Sequence, residues 1–223
     1  MTTLAKAGGI SVSQSVWKQA LDIFKRGGVI AYPTETFYGL GVDPFNEAAV
    51  DKLFKLKGRD PDKPISILIK DKKMLFEIVE EIPSSAEILR KRFWPGPLTI
   101  IFKAKKTIPS VITGNTGKIG VRISCNLITQ KLLEIIDSPI TTTSANPSGK
   151  KSPLTAGEVA DYFGDKIDLI IDGGLLSGKL GSTIVDATEE KLKVIREGEI
   201  PVKTVLTSVQ QQSATLGKAE RIS

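Results

Sequence analysis

Four polar clusters in this chain combine residue types that can bind or activate a substrate. The first, Pro33-Thr34-Glu35-Thr36-Phe37-Tyr38-Gly39-Leu40-Gly41, follows an apolar run; Thr34 and Thr36 offer hydroxyls, and the glycines permit close backbone approach. The same string also reads as a glycine-rich turn with incidental threonines. The second, Lys55-Leu56-Lys57-Gly58-Arg59, falls at the expected C-terminal end of a helix. Dipole complementarity and a Gly58 cap would explain it fully. Its functional reading has Lys57 and Arg59 leaving the helix to converge on a polyphosphate, as a mobile point charge and a planar fork.

The third cluster is the hydroxyl run Thr141-Thr142-Thr143-Ser144-Ala145-Asn146-Pro147-Ser148-Gly149, with Ser152 shortly after it. In an extended segment Ser144 and Asn146 face the same side and could hold one phosphate or ribose. These are also the residues that turns prefer. The fourth is dispersed: Arg122 between Val121 and Ile123, Ser182-Thr183 before an expected strand, and Arg196 after one. A guanidinium on an apolar strand either pairs with an acid or meets a substrate carboxylate.

Composition narrows the chemistry. The 223 residues include no histidine, which excludes Ser-His-Asp and Cys-His catalysis and any imidazole base. What remains is Lys, Arg, hydroxyls, carboxylates, backbone dipoles or a metal, an inventory suited to transfer at phosphorus. The single cysteine, Cys125, can form neither an intramolecular disulfide nor an ordinary zinc site and reads as a small buried side chain on a strand. There is no GxxxxGK[ST] loop, and Gly39-Leu40-Gly41 lacks the third glycine of a dinucleotide fingerprint. A net charge of +6 and a pI near 9.3 suit polyanionic partners such as nucleotides or RNA. No apolar run approaches the ~20 residues of a membrane span, and Met1 to Ser15 lacks the pattern of a secretory leader. The cytoplasm is the expected location, with no membrane partner.

The clusters must be carried by alternating helices and strands. Helical spacing predicts helices over Val16 to Phe24, Glu47 to Lys57 with Asn46 as N-cap, Lys72 to Glu80, Ser84 to Phe93 with serine caps, Leu127 to Ile136 and Thr155 to Phe163. Short apolar runs predict strands at Val29 to Tyr32, Ile65 to Ile69, Leu98 to Phe102, Ile119 to Ile123, Pro139 to Thr143 and Leu169 to Ile171, then a hairpin from Thr183 to Val185 and Leu192 to Ile195. Gly39 to Pro44 reads as turn-rich. The expected fold is an α/β protein with a twisted, mixed parallel and antiparallel open sheet. One domain over 1–209 is followed by a frayed tail over 210–223, which has few large apolar residues.

The segments GGVIAYPTETFYGLG, KLKGRDPDKPISILI, RFWPGPLTIIF, IGVRIS, ITTTSANPSGKKSP, DLIIDGG, GSTIVD and IREGEI resemble, in order, the YrdC/TsaC family of threonylcarbamoyl-AMP synthases. The resemblance spans roughly residues 13 to 200. It implies a basic concave cavity in which a nucleotidyltransferase converts L-threonine, bicarbonate or CO2 and ATP with Mg²⁺ to threonylcarbamoyl-AMP and pyrophosphate. The product serves the downstream machinery that modifies tRNA. It further implies threonine contacts at Thr34, Arg122, Thr142 and Ser182. Lys57 and Arg59 become the catalytic, nucleotide-binding pair, with Ser144, Asn146, Ser152 and Arg196 on ATP and no metal held by protein side chains. Two departures stand out: Ile67-Leu68-Ile69 occupies a place where some relatives carry a histidine, and Arg196 precedes Glu197-Gly198 rather than Pro-Gly. Longer relatives close the site with a second domain. The alternative reading is an RNA-binding module, for tRNA or double-stranded RNA, that uses the basic concavity alone.

Overall fold

Runs such as Val29-Ile30-Ala31-Tyr32 have no polar face to turn to water, so a sheet built from them must be covered on both sides. The computed structural model, which describes residues 3–6 and 12–219 and side chains over 12–211, has this arrangement. Its strands are β1 (Thr3–Lys6), β2 (Ile30–Tyr32), β3 (Gly39–Gly41), β4 (Ser66–Leu68), β5 (Leu98–Lys103), β6 (Lys118–Arg122), β7 (Ile140–Ser144), β8 (Leu169–Asp172), β9 (Thr183–Asp186) and β10 (Lys193–Arg196). The helices are α1 (Gln14–Lys25), α2 (Glu47–Lys57), α3 (Lys72–Ile78), α4 (Ser84–Phe93), α5 (Ser110–Thr113), α6 (Leu127–Ile136), α7 (Ala156–Phe163) and α8 (Val202–Ala219). All ten strands join one sheet in the order β1-β8-β2-β3-β7-β4-β6-β5-β9-β10. Pairing is parallel for β1/β8, β2/β8, β4/β6 and β5/β9, and antiparallel for β2/β3, β3/β7, β4/β7, β5/β6 and β9/β10. The mixed sheet expected from the sequence is present.

Strand alternation divides the core in two. Ile30, Tyr32, Leu68, Leu169 and Ile171 pack with Ala20, Ile23 and Phe24 of α1 and Leu132, Leu133 and Ile136 of α6. Their neighbours Val29, Ala31, Ile67, Ile69 and Ile170 enter the larger core with side chains of α2, α3, α4, α5 and α7. Each fully buried aliphatic side chain contributes roughly 1.5–3 kcal/mol, so both helical layers are needed to hold the sheet.

Several local expectations change. Gly39–Gly41 is the strand β3, inserted between β2 and β7, rather than a turn. A Cβ on Gly41 would lie 2.6 Å from Ile140 Cγ1 and Cδ1 and 2.7 Å from the Thr141 carbonyl, so glycine here makes room for a neighbouring strand. Helix α4 begins from Pro83 without a side-chain cap, because Ser84 and Ser85 are already inside its first turn. Cys125 is exposed, since β6 ends at Arg122 and the cysteine falls in the loop before α6. Helix α8 runs to Ala219, through much of the stretch read from sequence as a frayed tail; residues 220–223 lie outside the described residues. Its start is anchored by buried Val205 and Ser208, an apolar spacing too sparse to stand out in the sequence. Among the described residues no helix is long and apolar enough to cross a membrane.

Gly41→Ala should lower the unfolding free energy by about 1–3 kcal/mol, read as a shift of the urea midpoint. Gly157→Ala, on an open face of α7 where the new methyl would meet Thr155 Oγ1 at 3.8 Å and nothing closer beyond the helix's own backbone, should leave stability unchanged or slightly higher.

Candidate active site

The ends of β2, β3, β5, β6, β7 and β9 surround a cavity of about 480 Å³. Thr34, Arg59, Arg122, Thr142, Ser144, Ser152, Ser182 and Arg196 all line it, together with Thr36, Ser66, Thr99 and Glu197. Segments more than a hundred residues apart thus meet in one place. Of the ten residues singled out from sequence, Lys57 and Asn146 are the two that stand behind the wall.

The first wall is the 34–37 turn. Thr34 Oγ1 donates to the Phe37 carbonyl at 2.7 Å and accepts from the amides of Thr36 and Phe37 at 3.1 and 3.2 Å. This hydroxyl shapes the turn it belongs to. The Tyr38 hydroxyl extends the support, donating to the Gly174 carbonyl at 2.8 Å and accepting from the Gly173 amide at 2.9 Å. The turn is thereby tied to the end of β8.

The second wall joins α2 to β7. Gly58 adopts the left-handed C-cap conformation at φ +59°, and the chain leaves the helix there. Lys57 is only 3% exposed, and its ammonium does not serve its own helix end. It donates to the main-chain carbonyls of Ser144 and Asn146, the latter at 2.6 Å, while Ser148 N–H donates back to the Lys57 carbonyl at 2.8 Å. Burial, and then the charge of Arg59, lower its pKa to about 8. Arg59 continues into the cavity, with Nη2 on the Pro64 carbonyl at 2.6 Å. The extended geometry assumed for Ser144 and Asn146 breaks down, because Asn146 N–H donates to the Ser144 carbonyl at 2.9 Å and closes a turn. Ser144 therefore faces the cavity, while Asn146 Nδ2 is spent on the carbonyls of Pro147 and Lys150 at 2.9 and 2.7 Å.

The third wall carries the remaining arginines. Arg122, 4% exposed at the end of β6, has Nη1 3.4 Å from Glu35 Oε1. Ser124 Oγ donates to the other oxygen of the same carboxylate. Arg196, at the rim, places Nε and Nη2 on the Ser182 carbonyl at 3.1 and 2.7 Å, and Nη2 also lies 3.2 Å from Ser182 Oγ. Ser182 Oγ in turn lies 2.8 Å from Thr99 Oγ1. Desolvation, then the like charge of Arg122, hold Arg196 below the usual arginine range. Among the described residues, the buried polar side-chain atoms without a hydrogen-bond partner are Glu35 Oε1, Arg59 Nε, Arg122 Nε and Asn146 Oδ1; the two donors, on Arg59 and Arg122, belong to residues that line the cavity. A buried polar atom left unpaired costs about 1–3 kcal/mol, so the two donors on cavity-lining arginines are candidate positions for a polar ligand.

Sequence reasoning missed Glu35, Thr99 and Ser66. The signal for Glu35 was present, since a guanidinium on an apolar strand calls for an acid, but the sequence does not say which of 25 acids answers. Thr99 and Ser66 sit on strands whose polar positions only the sheet order directs toward the cavity.

Fold and site together define an α/β protein whose sheet gathers arginines and hydroxyls around one polar cavity. The Sua5_yciO_yrdC family model, described as Telomere recombination, matches residues 22–198, and the chain belongs to this family. It is 40% identical over 203 residues to a threonylcarbamoyl-AMP synthase of Pyrococcus abyssi, covering 90% of this chain and 60% of that one. A putative threonylcarbamoyl-AMP synthase of Methanocaldococcus jannaschii is 37% identical over 190 residues, with 83% and 89% covered. The fold is similar to P. abyssi Sua5 complexed with L-threonine, with a TM-score of 0.87 and 38% identity over 93% of this chain and 60% of that one. It is also similar to E. coli YciO, with a TM-score of 0.81 and 28% identity over 92% and 98%. The chain thus spans about 60% of the length of the P. abyssi relative.

Lys57 generates a pH prediction. Its folded pKa, about 8, lies below that of an unfolded lysine, so the folded state releases this proton first and stability gains as pH rises through that window. Measured by urea unfolding, the stability of the wild type relative to Lys57→Met should increase between about pH 7 and 10. A flat difference would mean that the ammonium is not held in a desolvated site.

Proposed function

We propose that the cavity binds L-threonine and ATP and forms threonylcarbamoyl-AMP and pyrophosphate from them with bicarbonate or CO2. The observation that carries this reading is the pair of unpartnered buried donors, Arg59 Nε and Arg122 Nε, on two arginines that line the cavity and can receive carboxylate and phosphate oxygens. The volume of about 480 Å³ suits small molecules and favours an enzyme over a module that reads only RNA shape. Membership of a family whose P. abyssi relative is named a threonylcarbamoyl-AMP synthase supports the choice of substrates.

In this reading Arg122 receives the amino acid's carboxylate, with its fork oriented by Glu35. Thr142 and Ser182 surround the same substrate, and Thr34 shapes the turn that bounds it. Arg59, Ser144, Ser152 and Arg196 face the nucleotide, while Lys57 acts through the backbone of 144–146 and Asn146 steadies the loop that follows. Mg²⁺, carried by the nucleotide rather than by protein side chains, would offset part of the triphosphate charge. The histidine-free composition suits the chemistry, because threonine's neutral amine attacks CO2 and releases one proton to solvent, which gives a carbamate that is already anionic. One carbamate oxygen then attacks the α-phosphorus and pyrophosphate leaves, so no strong base is required at the second step. Preorganised cations around the α- and β-phosphates supply most of the rate gain. The product's threonylcarbamoyl group would pass to the machinery that modifies tRNA, with the cytoplasm as the site of action.

The test is incubation with ATP, Mg²⁺, bicarbonate and L-threonine, followed by pyrophosphate release and the mass of the acyl-adenylate. Arg122→Ala should raise the KM for L-threonine by ~10²-fold or more, with Arg122→Lys recovering part of the loss. Arg59→Ala should lower kcat by ~10²-fold. A folded wild-type protein that makes no threonine-dependent product would overturn the assignment.

A further inference from the structure

Residues 173–182, between β8 and β9, belong to no strand, yet they bring Leu180, Gly181 and Ser182 to the cavity. Something outside the sheet ladder must hold them. Two consecutive amides of this segment, Lys179 N–H and Leu180 N–H, both donate to a single carboxylate oxygen, Glu199 Oε1, each at 2.7 Å. The Glu199 amide donates in the opposite direction, to the Gly181 carbonyl at 3.0 Å. Glu199 therefore grips the segment from both its side chain and its main chain.

The surroundings leave little room for another arrangement. A Cβ on Gly178 would lie 1.8 Å from the Thr36 carbonyl oxygen, and one on Gly198 would lie 2.1 Å from the Gly181 carbonyl oxygen. The 178–182 backbone is thus wedged between the 34–37 turn and the 196–200 segment. Thr183 completes the junction: its Oγ1 donates to the Ile200 carbonyl at 2.6 Å and accepts from the amides of Gly198 and Ile200 at 3.0 and 3.1 Å. The consequence reaches the site through Ser182, whose carbonyl receives both donors of Arg196 and whose hydroxyl meets Thr99.

We propose that Glu199, which does not itself line the cavity, is a positioning residue that clamps the 178–182 rim and so fixes Ser182 and Arg196 in their working geometry. A carboxylate is well suited to the task, because hydrogen bonds from backbone amides to an ionised acceptor are shorter and stronger than those to a neutral one. The consequence for turnover rests on the substrate assignment made above, whereas the clamp itself does not.

Hydrogen–deuterium exchange of the ligand-free protein and steady-state kinetics test it together. Glu199→Ala should speed exchange of the amides over 178–182 and raise the KM for L-threonine roughly tenfold, with a smaller change in kcat. Glu199→Gln keeps an oxygen acceptor and should restore most of both, while the melting temperatures of the variants stay close to that of the wild type. A purely structural role would instead lower stability and leave the KM ratio unmoved. Unchanged exchange in Glu199→Ala overturns the clamp whatever the cavity binds. Faster exchange with unchanged KM in an active enzyme overturns the positioning role. If the wild type makes no acyl-adenylate, the proposed function fails; the exchange comparison, with Mg·ATP affinity read by calorimetry in place of KM, then decides the inference by the same two criteria.

Discussion

Arg122 enters the middle of the molecule on β6, and Glu35, 3.4 Å away, is the acid that opposes its charge. The pair is imperfect: Arg122 Nε and Glu35 Oε1 are buried without hydrogen-bond partners. An ion pair taken out of water recovers its desolvation cost only when its geometry and remaining hydrogen bonds are good. Here the shortfall is left facing a cavity that also collects Arg59 and Arg196. Positive charge that the protein only partly neutralises is the physical basis on which an anionic substrate would bind, since the ligand's oxygens take the place of water at guanidiniums already held in position.

The walls around this charge are made rigid by main-chain contacts rather than by a dedicated polar core. Lys57 joins α2 to the carbonyls of 144 and 146, Tyr38 joins the 34–37 turn to residues 173 and 174, and Glu199 joins two rim segments. Each uses a side chain to satisfy backbone groups at the end of a strand, where the ladder no longer does so. The departure at Glu197 belongs to the same scheme, because its Oε1 accepts from the Val202 amide at 3.0 Å at the start of α8. An acid thus replaces the proline expected there and links the rim to the last helix.

Much of the fold was legible because the signals are local. Asn46 and Gly58 bracket α2 as expected, and alternation of strands and helices specified a mixed sheet. Capping, left-handed glycine and helical spacing act within a few residues and need no knowledge of the rest of the chain. The clusters of hydroxyls and cations were legible for a similar reason: motifs keep their side chains adjacent in sequence, and eight of the ten residues chosen line one cavity.

The sequence by itself thus determined the elements, the histidine-free chemistry and the cast of polar residues. Only the tertiary structure decided how that cast divides. Gly39–Gly41 is a strand because β2 and β7 flank it, and Lys57 turns from the cavity because carbonyls 87 and 89 residues away accept its protons. Glu35, rather than another acid, meets Arg122 because the 34–37 turn between β2 and β3 brings its carboxylate within 3.4 Å of a guanidinium 87 residues away. These outcomes depend on contacts between distant segments, whose partners are chosen by sheet order and side-chain packing and leave no trace in local spacing.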